Sequence, residues 1–232
     1  MKKPSAFSLP VLFLGLNLLT ASALQADVLA SYTFTAATGN PTTLNADLSD
    51  GVLSWNPGGS NFGFSSGTNS AYVKTASAPS SFDSNVYLEF TVTANGGIEF
   101  SLDSLVFDLG GQNYEAEPTY TVNANVRSSV DAYAADIQMD PGTVTTATHE
   151  VTSMNTESYS TFTVDLSGSQ YNNLDEITLR LYPSDNDLNG NIYRYANITL
   201  NGTTAVIPEP GTAILVLLSA LGMIFCIRRK NG

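Results

Sequence analysis

The chain has 232 residues, a formal charge of −12 and one cysteine, Cys226. The acidic side chains all lie between residues 27 and 209, where 21 of them accompany only four basic ones and give that part a formal charge of −17; the basic residues are Lys74, Arg127, Arg180 and Arg194. Such a surface repels nucleic acid and anionic lipid headgroups, which argues against both as partners. A single cysteine excludes an internal disulfide, so the stability of the fold must come from its core.

The first 26 residues have the three parts of a secretory signal peptide. Lys2 and Lys3 supply the positive charge, residues 11–19 form an apolar segment, and small residues follow at 21–23. Cleavage after Ala23 fits the small-x-small pattern better, and cleavage after Ala26 is the alternative. We therefore expect the secretion translocon to export a mature chain that begins near residue 24 or 27.

Residues 27–205 alternate apolar and polar side chains, which is the pattern of half-buried β-strands. Strong helical periodicity is missing there, and Gly, Asn, Ser and Asp interrupt the alternation at short intervals. These features predict an all-β protein with a single antiparallel β-sandwich domain, jelly-roll-like in architecture. The apolar positions expected to share a face within each strand are Val86, Leu88, Phe90 and Val92; Phe162, Val164 and Leu166; Ile177, Leu179 and Leu181; and Ala196, Ile198 and Leu200.

One strand changes the parity of its apolar residues. Phe100 and Leu102 occupy even positions, whereas Leu105, Phe107 and Leu109 occupy odd ones. Side chains alternate between the two faces of a sheet, so the two sets would otherwise point to opposite faces. We predict a β-bulge or a break in the strand near residues 103–104.

The carboxyl end has the sequence features of a membrane-spanning segment. Residues 212–227 are sixteen residues without a charge, which as a helix would extend about 24 Å. That length is short for a bilayer core, so we expect the flanking cations to snorkel or the bilayer to thin. Prolines at 208 and 210 prevent the helix from extending backwards. A transmembrane helix over 212–227 followed by basic residues 228–230 predicts a cytoplasmic carboxyl terminus.

This tail resembles the PEP-CTERM sorting signal of exported proteins in Gram-negative bacteria, in which Pro-Glu-Pro precedes a short span and a basic end. The signal would occupy residues 206–232, and the residues that match are Pro208, Glu209, Pro210, Arg228, Arg229 and Lys230. The resemblance implies an intermediate anchored in the cytoplasmic membrane, processing by an exosortase, and transfer to the cell surface or extracellular matrix. An ordinary single-span anchor is the alternative.

The domain before the tail is similar to the β-sandwich ectodomains of PEP-CTERM proteins from Verrucomicrobia-type bacteria. The segments that carry this resemblance are residues 87–92, 126–131, 162–167 and 197–202. What the resemblance implies is the fold, since it assigns no activity to the domain.

Three patterns associated with catalysis are present, and we interpret each as structural. His149, the only histidine, lies in a predicted strand without a partner motif. Residues 63–67 match Gly-x-Ser-x-Gly, but they lie in a predicted loop over 56–70 and lack the following helix of a hydrolase elbow. Glu89, Glu99 and Asp103 are acids of the kind that glycosidases use in pairs, yet no compact motif joins them, so we expect solvated surface carboxylates.

Residues 185–190 match the first half of a calcium-binding loop. Asp185, Asp187 and Asn189 would supply oxygen ligands, but position twelve of the loop is Ala196 instead of a bidentate glutamate. A turn rich in Asp, Asn and Gly explains the same residues. Calcium and a plain turn therefore stay open as alternatives, and no other cofactor is predicted.

Five aromatic residues are candidates for stacking on sugar rings, and they are Trp55, Tyr87, Tyr182, Tyr193 and Tyr195. Tyrosine is also common at half-exposed strand positions, which is the alternative. The combined prediction is a non-catalytic cell-surface or matrix protein associated with exopolysaccharide. A secreted carbohydrate-active enzyme on the same scaffold is the second hypothesis.

Overall fold

A computed structural model describes residues 26–74, 77–114, 119–140, 144–152, 155–185 and 191–207. The fold of this part is all-β, with two antiparallel sheets and two short 3-10 turns, which confirms the predicted antiparallel sandwich. No helix in the described ranges has the length and apolarity to span a bilayer. The predicted signal peptide, the transmembrane helix at 212–227 and the sorting residues 208–210 and 228–230 all lie outside the described residues.

The strands are numbered in chain order. They are β1 (Asp27–Tyr32), β2 (Thr43–Leu44), β3 (Leu48–Asp50), β4 (Ser54–Asn56), β5 (Phe62–Ser65), β6 (Ser70–Lys74), β7 (Tyr87–Ala94), β8 (Ile98–Gln112), β9 (Tyr120–Ser128), β10 (Met139–Asp140), β11 (Thr146–Val151), β12 (Glu157–Asp165), β13 (Glu176–Asp185) and β14 (Ile192–Val206). The two 3-10 turns are Ser129–Asp131 and Ser169–Tyr171.

Sheet A has the order β10-β12-β8-β14-β1-β2, and sheet B has the order β11-β9-β13-β7-β3. In sheet A, β6 lies beside the first half of β14 and carries β5 on its other edge; in sheet B, β4 pairs with β7. From β7 to β9 and from β11 to β14, successive long strands alternate between the sheets. This alternation places consecutive long strands in opposite sheets of the sandwich.

The core lies between the sheets and consists of the side chains at alternating strand positions. In β7, Leu88, Phe90 and Val92 are buried while the intervening residues are half-buried, and β13 repeats the pattern with Ile177, Leu179 and Leu181. Each such side chain contributes about 1.5–3 kcal/mol when fully removed from water. The alternation predicted for these two strands is therefore confirmed.

The predicted bulge is present in β8. Asn201 of β14 pairs with Ser104, and the next residue, Gly202, pairs with Leu102, which leaves Asp103 as the extra residue. Asp103 is exposed, while Leu102 and Leu105 on either side of the bulge are buried. The parity change in the sequence is thus the direct result of an inserted residue.

A second bulge, which the sequence analysis did not predict, interrupts β14 at Asn197. Before it, residues 192–196 pair with β6, and after it, residues 198–202 pair with β1. Asn197 has a positive φ of 46°, a conformation that asparagine tolerates better than most residues. Its side-chain amide donates to Asp108 Oδ2 at 2.7 Å, and Thr161 donates to Oδ1 of the same carboxylate at 2.6 Å.

The loop predicted over residues 56–70 is only partly a loop, because β5 and its hairpin to β6 lie within it. Phe62 and Phe64 of β5 pack on Trp55 and Phe34, with ring centres 5.5 and 5.9 Å apart. Gly63 between them lies under Tyr72, since a Cβ there would lie 2.9 Å from the Tyr72 hydroxyl oxygen and would displace that ring. The high Gly and Ser content concealed a strand that two aromatic rings hold in place.

Candidate functional site

The structure divides the five candidate aromatic residues into two groups. Tyr193 and Tyr195 are fully buried, with ring centres 5.0 Å apart, and the Tyr193 hydroxyl donates to the Asn123 carbonyl at 2.8 Å. Neither ring has a face available to a sugar, so the prediction is wrong for these two residues. The bulge at Asn197 explains the error, because it turns odd positions inward before residue 197 and even positions inward after it.

Trp55 is half-buried at the margin of the core. Its ring centre lies 5.5 Å from that of Phe62 and 6.2 Å from that of Tyr195, and its Nε1 donates to the Gly63 carbonyl at 3.2 Å. These contacts are those of a packing residue that ties β4 to β5.

Tyr87 and Tyr182 belong to a cluster on the outer surface of sheet B. We call it the arginine face, and its members are Phe82, Tyr87, Arg127, Tyr133, Arg180 and Tyr182. Tyr182 is the centre, only 2% exposed, with the rings of Phe82 and Tyr87 at 5.0 and 5.6 Å. Phe82 is 39% exposed and covers Tyr182 from the segment before β7. Phe82 is therefore the exposed ring of the face, Tyr87 and Tyr133 are half-buried, and the predicted Tyr182 is covered.

Strand register explains why these residues meet. Arg180 of β13 pairs with Arg127 of β9 on one side and with Glu89 of β7 on the other, which forms one row across the sheet. Tyr182 lies two residues after Arg180, so it points to the same side. The sequence did not predict either arginine as a site residue.

The two arginines of the face are held by carboxylates and by aromatic rings. Arg180 Nε donates to Glu89 at 2.9 Å, and its guanidinium carbon lies 4.1 Å from the Tyr87 ring centre and 3.8 Å from that of Tyr133. Stacking of a planar guanidinium on an aromatic ring holds the cation in place while its edge stays available for hydrogen bonds.

Arg127 repeats this arrangement at the other end of the face. Its Nε donates to Asp136, its Nη1 donates to the Tyr133 carbonyl at 3.0 Å, and its guanidinium carbon lies 4.0 Å from the Phe82 ring centre. The face therefore combines accessible rings with pre-positioned charged hydrogen-bonding groups, which suits polyhydroxylated ligands.

A second feature lies on the outer surface of sheet A. It is a groove of about 360 Å³, here called the lysine groove, and it is lined by Phe64, Ser65, Thr68, Tyr72, Lys74, Tyr114, Ile192 and Arg194. Tyr114 is 48% exposed and Lys74 is exposed, whereas Arg194 is only 3% exposed. The sequence analysis missed this groove too. The available signal was that Lys74 and Arg194 are half of the basic residues between residues 27 and 209.

Arg194 is fixed from three sides. Its Nη1 donates to the hydroxyl oxygens of Thr68 and Ser70 at 2.6 and 3.0 Å, and its Nη2 donates to Gln112 Oε1 at 2.9 Å. Gln112 Oε1 also accepts from the Tyr114 hydroxyl at 2.8 Å. The buried cation thereby positions a tyrosine at the wall of the groove.

The residues considered for catalysis do not form a catalytic site. Glu89 lies on sheet B with Arg180 as its partner, whereas Glu99 and Asp103 lie in β8 of sheet A. His149 Nδ1 and Nε2 are hydrogen-bonded to Ser160 and Ser158 at 2.8 and 3.0 Å, so its imidazole joins β11 of sheet B to β12 of sheet A. Ser65 of the Gly-x-Ser-x-Gly match is followed by strand β6 instead of a helix.

The calcium hypothesis is left with one described residue. Asp187 and Asn189 lie outside the described residues, and Asp185 is 2% exposed at the end of β13. Within the described ranges, no group of three or more His, Cys, Asp or Glu side chains is arranged to hold a metal ion.

Sequence comparisons with known proteins find no match. No family model matches the chain, and no curated protein matches it. Among solved structures, TmCBM27, a carbohydrate-binding module studied for mannan recognition, is 10% identical with a TM-score of 0.41 and covers 77% of this chain and 99% of its own.

Two further solved structures match with similar identity, TM-score and coverage. The family 29 carbohydrate-binding module CBM29_1 from Piromyces equi is 11% identical with a TM-score of 0.32, covering 77% of this chain and 91% of its own. The module BiXyn10A CBM1 is 10% identical with a TM-score of 0.33, covering 76% and 99%. Because all three TM-scores lie below 0.5, we infer neither fold nor function from them.

Proposed function

We propose that this protein is an exported, non-catalytic cell-surface or matrix protein whose β-sandwich binds a polysaccharide. The observation that carries the proposal is the arginine face. Phe82 provides an exposed ring and Tyr87 and Tyr133 provide half-buried rings for the apolar faces of sugars, and Arg127 and Arg180 lie beside them, stacked and ion-paired. Stacking rings with fixed donors and acceptors at their edges are a suitable chemistry for binding pyranose chains.

Export and sorting form the second part of the proposal. The charged and apolar amino end and the Pro-Glu-Pro tail with its basic terminus support export followed by exosortase processing. The formal charge of −17 between residues 27 and 209 suits a soluble extracellular surface that repels its own copies. The alternative, a carbohydrate-active enzyme, has less support, since Glu89 lies on sheet B beside Arg180 while Glu99 and Asp103 lie on sheet A.

The test is a glycan array combined with a polysaccharide hydrolysis screen, both on the purified full chain. We expect retention of at least one neutral glycan without release of reducing ends. Phe82→Ala should weaken that binding about fivefold to tenfold, because a stacking ring is lost. Val52→Ala, which shortens an exposed side chain outside the arginine face, is the matched control and should leave binding unchanged.

Two results would contradict the proposal. One is binding that Phe82→Ala and Tyr87→Ala leave unchanged, which would place the ligand elsewhere. The other is hydrolysis of a glycan that a single carboxylate substitution abolishes, which would make the protein an enzyme.

A further inference from the structure

From the lysine groove we infer a second, anion-selective subsite that takes the carboxylate of a uronic acid residue within a glycan. The inference rests on the proposed glycan binding and adds to it a site on the opposite sheet and a class of sugar. Lys74 and Arg194, half of the basic side chains between residues 27 and 209, line this one groove. In a region with 21 carboxylates, such a concentration of positive charge marks a place where an anion is favoured.

The charge of Arg194 is only partly neutralised. Three of its hydrogen bonds go to the neutral oxygens of Thr68, Ser70 and Gln112, and the carboxylate of Glu157 lies 3.7 Å from Nη2. Its Nε is buried without a hydrogen-bond partner among the described residues. A buried cation with incomplete compensation creates a positive potential in the groove next to it, because a low-dielectric surrounding screens it little.

Lys74 supplies the ammonium group of the subsite. It is exposed at the end of β6, and Tyr72 lies two residues earlier on the same face of the strand. Tyr72 is held across β5 by close packing on Gly63, and Tyr114 is held by Gln112. The groove lining therefore contains an ammonium group and two tyrosines, so that a sugar ring can pack on a tyrosine while its carboxylate meets Lys74.

The acidic surface around the lysine groove limits which acidic glycans can bind. Exposed charges beyond about 8 Å are largely screened at physiological ionic strength, but a continuous polyanion would bring many of its charges close to the acidic surface. The subsite thus suits a chain in which acidic residues are separated by neutral sugars. It does not suit a dense polyanion such as nucleic acid.

The test measures binding of the full chain to oligosaccharides of alternating glucuronate and neutral sugar, by titration calorimetry at about 0.15 M salt. The control ligand is the same oligosaccharide with its carboxylates converted to methyl esters, which removes charge and keeps size. Lys74→Gln should weaken binding of the acid form at least about tenfold and leave the ester unaffected, because a charge-assisted bond is lost. Lys74→Arg keeps the cation and should retain affinity within about threefold.

The outcomes of these titrations distinguish the subsite in the lysine groove from binding at the arginine face. Equal affinity for acid and ester, or no effect of Lys74→Gln on the acid form, overturns the subsite. Loss of neutral-glycan binding in Phe82→Ala, with no acidic oligosaccharide bound by the unaltered chain, overturns the subsite and leaves the proposed function intact. Binding of the acid form that Lys74→Gln abolishes and Phe82→Ala leaves unchanged supports the subsite, even if the arginine face binds nothing.

Discussion

The guanidinium carbon of Arg180 lies 3.8 Å from the ring centre of Tyr133, although the two residues are 47 positions apart in the chain. Tyr133 reaches Arg180 from the turn that follows β9, where Ala132 and Tyr133 both have a positive φ, at 57° and 61°. A positive φ costs free energy for residues that have a Cβ. A turn in this conformation places the Tyr133 ring over Arg180 in the arginine face.

We expect this contact to be measurable as a coupling free energy. In a double-mutant cycle we compare the variants Arg180→Met and Tyr133→Leu with the double variant. The loss of unfolding free energy in the double variant should be smaller than the sum of the two single losses by about 0.5–1 kcal/mol, because each substitution removes the same cation–π contact. Urea unfolding of the four proteins measures it. The same cycle with Arg180→Met and the distant Val52→Ala is the control and should be additive; additivity in the Tyr133 cycle would exclude an energetic role for the stack.

The bulge at Asn197 should be specific for its residue type. Asn197→Val places a β-branched side chain at a φ of 46° and removes the bond to Asp108, so we expect a loss of about 2–3 kcal/mol in unfolding free energy. Asn197→Gly relieves the backbone and loses only the bond, at about 1 kcal/mol. Thr199→Val, on the same strand without a positive φ, is the matched control, and a valine cost equal to the glycine cost would refute the backbone explanation.

Because of His149, we expect the free energy of unfolding to decrease in mild acid. Burial lowers the pKa of His149 below its ordinary value of 6.5, and the neighbouring Glu150 opposes this only in part. In the window between the folded pKa and 6.5 the unfolded chain therefore binds more protons, so stability falls as the pH falls through it. The melting temperature of the chain should decrease from pH 7 to pH 5, and His149→Gln should reduce the slope. An unchanged slope in the variant would assign the acid sensitivity to the carboxylates.

Tyrosine titration should report on the core at high pH. Burial, reinforced by the charge of Glu157, raises the pKa of Tyr159 to about 12, and burial raises the pKa of Tyr32, Tyr193 and Tyr195 as well. These hydroxyls ionise near pH 10 only in the unfolded chain, so stability should fall as the pH rises above 10.

The measurement is ultraviolet absorbance of tyrosinate, recorded together with circular dichroism. We expect one set of tyrosines to ionise near pH 10 and a second set to ionise only as the fold is lost. Tyr159→Phe should move the second step to higher pH. A single step with all tyrosines ionising at pH 10 while the circular dichroism stays native would contradict the burial of these residues.

The carboxyl tail predicts a difference between cell fractions. Mass spectrometry of both chain ends, on protein from membrane and extracellular fractions of the producing cells, should find an extracellular form that lacks everything after about residue 208. Its amino end should begin at residue 24 or 27. Glu209→Ala is the matched variant and should reduce the truncated form. An intact Gly232, present only in the membrane, would identify the tail as a permanent anchor.

The sequence by itself determined the all-β class and the inward faces of β7 and β13, because alternation of apolar side chains is a local property of the chain. Leu88, Phe90 and Val92 needed no partner strand to be recognised, and the parity change before Leu105 located a bulge at Asp103. The acidic surface and the absence of a disulfide were likewise determined by composition alone.

Only the tertiary structure decided which aromatic residues are accessible. Tyr195 and Tyr87 look alike in the sequence, but the bulge at Asn197 turns Tyr195 into the core, and its positive φ leaves no trace in the hydrophobic pattern. The same holds for Arg180 and Arg194, which read as isolated charges. Strand register placed Arg180 against Glu89 and Arg194 beside Gln112, because cross-strand neighbours are set by pairing between distant segments and not by local sequence.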